Sequence, residues 1–115
     1  MSGVRRSSRA AKRRDHATVF AALGDETRLS LVAELCGGQP RSISQLTAGS
    51  KLTRQAITKH LRVLESAGVV HSVRSGRESL FAFDPEPIEG VKQYLDLVSE
   101  QWDQALARLK SFVED

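Results

Sequence analysis

Between Leu52 and Val70 the chain reads LTRQAITKHLRVLESAGVV, and this run restricts the folds open to it more than any other. Ile57, Leu61 and Leu64 recur at i, i+4 and i+7, which is one buried stripe of a helix. Arg54, Thr58 and Arg62 follow a turn apart on the opposite face, with Gln55 and Lys59 beside them. That face carries three cations, an amide and a hydroxyl, and no acid. Arg and Lys pair with guanine edges or phosphates, Gln with adenine, and Thr with either. Thr53 is placed to cap the helix, so the helix N-terminus lies where a phosphate could sit. Gly68 suits the left-handed residue that closes a helix, and an apolar strand-like segment follows it. The pattern predicts a helix-turn-helix reading helix followed by a wing.

The distribution of charge agrees. The chain of 115 residues has a net charge of +3, which conceals a strong segregation. Residues 1–14 hold Arg5, Arg6, Arg9, Lys12, Arg13 and Arg14 and no acid. Residues 41–77 hold Arg41, Lys51, Arg54, Lys59, Arg62, Arg74 and Arg77 against Glu65 alone. The segments 15–40 and 78–115 are both acidic. A basic middle between acidic flanks is the footprint of one nucleic-acid face on a body that otherwise repels it. The length suits one domain with a modest core. Cys36 is the only cysteine, so no internal disulfide is available, and a reducing cytoplasm is expected. No apolar run reaches the length of a membrane span, and residues 1–14 lack the apolar region of a signal peptide.

In chain order, residues 1–14 are Ser/Arg-rich and expected to be disordered when free, a basic tail able to follow phosphates or enter a minor groove. Residues 15–115 form the domain. A first helix over Asp15–Leu23 has Ala17, Phe20, Ala21 and Leu23 on its apolar side and ends at Gly24. Asp25 caps the second helix, whose inward residues are expected to be Leu29, Val32, Leu35 and Cys36. Gly37-Gly38-Gln39-Pro40 breaks it. Ser42 or Ser44 starts a third helix with Ile43 and Leu46 facing inward. Val69 to Phe83 reads as a hairpin with the three-residue loop Arg74-Ser75-Gly76. That loop would put Val69 and Val73 on one face with Phe81 and Phe83, and Arg74 and Arg77 at the tip.

Pro85 and Pro87 open a last helix over residues 87–115. Ile88, Val91, Leu95, Val98, Trp102, Ala105, Leu109 and Phe112 alternate spacings of three and four, an unbroken heptad series widened by Tyr94, Leu97, Leu106 and Val113. Such a helix runs about 40 Å, too long for a small domain to cover. Part of its apolar face is therefore expected to meet a second subunit. The fold class is mainly α with a small β-hairpin, in the order α-α-α-α-β-β-α.

This order resembles the ArsR/SmtB family of bacterial winged helix-turn-helix repressors. VFAALGDETRLSLVAEL, from Val19 to Leu35, resembles the family's opening ALxDxTRLxIL segment. LTRQAITKHLRVLESAGVV resembles its recognition helix, and SGRESLFAFDP its wing. The likeness covers Val19 to about Pro87. It implies a homodimer built from the first and last helices, binding palindromic operators and releasing them on a signal. On that match Thr53, Arg54, Gln55, Thr58 and Lys59 would face bases, and Lys51, Arg62, Arg74 and Arg77 would hold phosphates. Phe20, Val91, Leu95, Val98, Trp102 and Leu109 would form the dimer contact. His60 falls where the family has a structural histidine and reads as packed or capping. The ending QWDQALARLKSFVED resembles a branch found beside genes for START-like ligand-binding proteins, which hints at autoregulation of a neighbouring operon.

Metal sensing is where the sequence departs from the family's founders. Their thiolate site follows E-L-C-x-C, but here Glu34-Leu35-Cys36 is followed by Gly37-Gly38. Residues 87–115 contain neither His nor Cys, and His16, His60 and His71 lie far apart. A transition metal needs about four N, S or O ligands in tight geometry. Cys36 therefore reads as a small buried hydrophobe, and no metal or cofactor is expected. Two other functions compete with an operator-binding regulator. A protein-interaction winged helix would expose aromatics or Leu on the reading face, which is cationic here. A nonspecific DNA-binding protein would share the charge but not the preference. An enzyme is not expected: the sequence has no phosphate-binding glycine loop, no carboxylates paired near a His and no Cys/His pair at helical spacing.

Overall fold

Two capping devices fix the reading helix at its ends. Thr53 Oγ1 accepts from the Ala56 backbone N–H at 3.1 Å. At the other end Gly68 takes φ +78°. There the Gly68 N–H donates to Glu65 O at 2.9 Å and the Val69 N–H to Leu64 O at 3.0 Å, the paired bonds of a Schellman closure. In the computed structural model, which describes the backbone of residues 9–114 and the side chains of 15–114, this helix is the fourth. The order is α1 (Arg9–Leu23), α2 (Glu26–Cys36), β1 (Arg41–Ser42), α3 (Ile43–Ala48), α4 (Arg54–Ser66), β2 (Val70–Ser75), β3 (Glu78–Phe83) and α5 (Pro85–Glu114).

The core forms around α4. Ile57, Leu61 and Leu64 are fully buried, as the stripe predicts, together with Leu46 of α3 and the pair Val69–Val70. Each such side chain contributes about 2 kcal/mol by leaving water. Val19 and Ala22 of α1, Leu31 and Leu35 of α2, Phe81 of β3 and Val91 of α5 complete the cluster. Ser42 starts α3 with a full capping box: its hydroxyl accepts from the Gln45 N–H, and the Gln45 side chain accepts from the Ser42 N–H.

Several elements differ from the sequence expectation. Helix α1 starts at Arg9, not Asp15, so the segment 9–14, expected to be disordered, is helical. RAAKRR holds only strong helix formers, which the charge-based reading underweighted. The expectation for residues 1–8 lies outside the described residues. The inward residues of α1 are Val19, Ala22 and Leu23, while Phe20 turns outward. In α2 the buried pair is Leu31 and Leu35, and Leu29 is exposed. Cys36 is also exposed, because one residue beyond Leu35 is a rotation of about 100° around the helix.

The sheet has three strands, in the order β1-β3-β2, because Arg41 and Ser42 pair with Phe81 and Leu80. The β2–β3 register pairs Ser75 with Glu78, so the loop is Gly76-Arg77 and not the three-residue loop Arg74-Ser75-Gly76. Gly76 has φ +62°, and among the described residues only glycines have positive φ, so Arg77 does not share it; these are the φ signs of a type II′ turn. The even loop sets Ser72 opposite Phe81 and Val70 opposite Phe83. Val73 therefore falls on the outer face beside Leu80 and is exposed, since a one-residue shift moves every side chain to the other face.

One residue joins wing and last helix. The Asp84 N–H donates to Val69 O at 2.8 Å, and Asp84 Oδ1 accepts from the Glu86 N–H at 3.0 Å. Pro85 then occupies the first helical position, where its missing N–H costs nothing. Helix α5 spans 30 residues, about 45 Å. Its first turns pack along α1, where Tyr94 meets the His16 ring at 5.0 Å and the Phe20 ring at 6.3 Å. Val91, expected on the dimer face, is 5% exposed and belongs to this domain's own core. From Gln101 to Glu114 every residue is exposed, including Trp102 at 68%, Leu109 at 57% and Phe112 at 80%. Among the described residues no helix is long and apolar enough to cross a membrane.

Candidate nucleic-acid interface

Opposite its buried stripe, α4 turns Arg54, Gln55, Thr58, Lys59 and Arg62 to solvent, where they line one shallow groove of about 390 Å³. No acid lines it. Glu65, the one acid of the basic segment, accepts a hydrogen bond from the Ser72 hydroxyl at 3.0 Å and is held toward β2. The groove thus presents cationic and amide donors spaced by a helical turn, the array that base edges and phosphates accept.

Two contacts organise the groove. Arg54 Nη1 donates to Ser44 Oγ of α3 at 2.7 Å, which ties the longest side chain of the first turn to the neighbouring helix. The Thr58 hydroxyl donates to Arg54 O at 2.8 Å, within its own helix. The remaining residues named from the sequence lie elsewhere. Lys51 is exposed in the turn between α3 and α4. Thr53 carries the cap, so its oxygen is already engaged with the Ala56 N–H. Arg74 is the next-to-last residue of β2, its Nε 3.4 Å from Gly76 O, and Arg77 is the second residue of the hairpin turn; both are exposed.

Behind the groove lies a pin that sequence reasoning missed. Arg28 of α2 donates from Nε to Ala22 O at 2.6 Å and from Nη2 to Ala21 O at 3.4 Å, satisfying carbonyls at the end of α1. Its Nη1 lies 3.2 Å from His60 Nδ1 on α4. A guanidinium can only donate, so His60 accepts there. Asp25 Oδ2, 3.8 Å from the same nitrogen, is beyond hydrogen-bond range. One side chain therefore fastens the reading helix to α1. His60 is a packed, hydrogen-bonded residue, as the sequence reading expects. The Arg28 pairing was legible only as a charge, because its partners are backbone carbonyls and a residue 32 positions away.

Asp25 caps α2 by accepting from the Arg28 N–H at 3.0 Å. That bond is the largest cause holding its carboxyl below the ordinary 3.8; partial burial opposes it and the Arg28 charge reinforces it. A lowered carboxyl stabilises the fold above the unfolded value and loses that contribution as pH falls through the folded one. The stability gap between the native chain and Asp25→Asn should thus be full at pH 7 and narrow below pH 3.8, as urea unfolding at stepped pH will measure. In the same assay Arg28→Ala is expected to cost about 2 kcal/mol, since two carbonyls and a ring nitrogen lose a donor. Arg28→Lys should recover little of it, because an ammonium lacks the planar fork.

Known proteins share this architecture. A helix-turn-helix domain family matches residues 23–73, the stretch from the end of α1 to β2. An HTH-type transcriptional regulator of Bacillus subtilis is 39% identical over 79 residues, 64% of this chain and 86% of that one. The structure of an ArsR-like transcriptional regulator from Rhodococcus superposes with a TM-score of 0.74 at 37% identity, over 87% of this chain and 93% of that one. A homodimeric winged helix-turn-helix DNA-binding domain from Mycobacterium bovis has the same fold, with a TM-score of 0.66 at 22% identity over 88% and 92% of the two chains. With a reading helix, a wing and a long last helix in this order, the chain belongs to the ArsR family of winged helix-turn-helix transcriptional regulators.

Proposed function

We propose that this DNA-binding regulator acts as a homodimeric repressor that occupies a palindromic operator and does not answer to metal ions. The observation that carries this reading is the apolar seam of α5. Leu95, Trp102 and Leu109 are exposed along it, Val98 is half-buried, and Phe20 of α1, whose ring meets Tyr94 in the α1–α5 contact, is partly exposed beside it. A face this apolar, repeating in heptads, is complementary to a second copy of itself. Two copies present two α4 grooves, and a palindrome read by a dimer needs them about 34 Å apart, one turn of DNA. In each half-site Arg54, Gln55, Thr58 and Lys59 face bases. Lys51, Arg62, Arg74 and Arg77 hold phosphates, and Thr53 contributes the helix N-terminus it caps. Repression then follows from occupancy, because a bound dimer excludes polymerase from the promoter.

The donor set supports independence from metals. Cys36 ends α2 with Gly37 and Gly38 after it, and among the described residues no group of three or more His, Cys, Asp or Glu is placed to hold an ion. Zinc and arsenite are each expected to leave operator affinity unchanged, and Cys36→Ser to behave as the native chain. Release of the operator by either ion would overturn that part of the reading. The whole proposal is tested by fluorescence anisotropy on the upstream DNA of the gene against a scrambled duplex, with stoichiometry from sedimentation. A preference of about a thousandfold at two subunits per site supports it. Equal, salt-sensitive binding to both duplexes favours a nonspecific DNA-binding protein.

A further inference from the structure

We propose that Thr58 reads a thymine through its methyl group, and that this contact sets base preference at one position of each half-site. The inference rests on the reading of α4 as the base-contacting helix and goes beyond it by assigning the base. The Thr58 side chain has two branches, a hydroxyl and a methyl. The hydroxyl proton is committed inside the helix, donated to Arg54 O at 2.8 Å. Such back-bonding is the usual resting state of a helical Thr, and giving it up for a base would exchange one hydrogen bond for another with no net gain. The methyl has no such engagement. Thr58 is half-buried and lines the groove between Arg54, Gln55, Lys59 and Arg62, all of which end in polar groups. It is the one lining residue whose side chain carries a methyl group.

In the major groove only thymine offers an apolar partner, its C5 methyl. Cytosine lacks that group, and purines present nitrogen and oxygen there. A methyl against a methyl removes hydrocarbon from water without a directional bond, so the expected discrimination is moderate, about fourfold for each thymine. The neighbouring Arg54, tied to Ser44 at 2.7 Å, lies one turn away and leaves this position to Thr58.

The test uses the full chain and duplexes enriched by it from a randomised pool. Each thymine of the enriched duplex is replaced singly by deoxyuridine, which deletes the methyl alone, and dissociation constants are measured by anisotropy. At one position per half-site the native protein should lose about fourfold in affinity. Thr58→Val, which keeps a methyl and deletes the hydroxyl, should retain that ratio. Thr58→Ser, which keeps the hydroxyl and deletes the methyl, should bind the thymine and uracil duplexes equally. Persistence of the ratio in Thr58→Ser would overturn the proposal, as would the absence of any uracil-sensitive position. Loss of the ratio in Thr58→Val would overturn it too, and would assign the contact to the hydroxyl oxygen. A pool that enriches no sequence at all would refute α4 as a reading helix, a result distinct from specific binding without a methyl effect.

Discussion

Trp102→Glu combined with Leu109→Glu is expected to yield a folded monomer that binds operator DNA about a thousandfold more weakly than the native protein. Both side chains stand one heptad apart on α5, 68% and 57% exposed, and neither belongs to the core cluster. The domain therefore loses nothing on their replacement, whereas two carboxylates on each facing helix make the seam repulsive. Two linked half-sites bind with an avidity roughly a hundred to ten thousand times that of one, and the monomer forgoes it. Sedimentation equilibrium reads the association state, thermal melting reads the fold, and anisotropy reads the affinity. A variant that remains dimeric would move the interface to α1 and the first turns of α5, around Phe20 and Tyr94.

Arg54→Ala and Arg77→Ala should separate base reading from backbone holding. If Arg54 forks onto a guanine, its loss costs about 1–3 kcal/mol in each half-site, or about thirtyfold or more for a dimer, and relaxes the preference at that base pair. Arg77 sits in the wing turn, and its loss should weaken binding to every sequence alike. The salt dependence should then fall by about one counterion for each arginine removed. The measurement is a binding isotherm on specific and scrambled duplexes at stepped salt. Ser44→Ala offers an internal control. It leaves the Arg54 charge in place and removes its 2.7 Å anchor, so affinity should drop less than in Arg54→Ala, with the same base pair affected.

What was legible in the sequence was mostly local. The apolar stripe of α4, its Thr53 cap and its Gly68 closure depend on residues within a few positions of one another, and all three were found as expected. The wing was legible as a hairpin but not in its register. Both a three-residue loop ending in Gly76 and a two-residue loop beginning with it use glycine in the left-handed region. The pairing of Arg41 and Ser42 with β3, which adds a third strand, has no signal in two residues. The heptad series of α5 was correct as a pattern. It could not say where the domain's own core ends, and Val91 fell on the inner side of that line. Of the groove, the five lining side chains were legible because a helix places them together by spacing alone. Ser44 and Arg28 act across elements, through a hydroxyl on another helix and through backbone carbonyls, and composition records neither.

The joint at Asp84 has a mechanical consequence. Strand β3 ends at Phe83 and α5 begins at Pro85, and the single residue between them is fastened at both its amide and its carboxylate. Wing and last helix consequently turn together, with no hinge to absorb a misfit. In a dimer joined through α5, the protein is then a ruler of fixed length and fixed phase. Inserting one base pair between half-sites rotates one of them by about 35° around the duplex, and a rigid ruler cannot follow. On the proposed dimer, operators would be sorted by the spacing of their half-sites as well as by the letters within them.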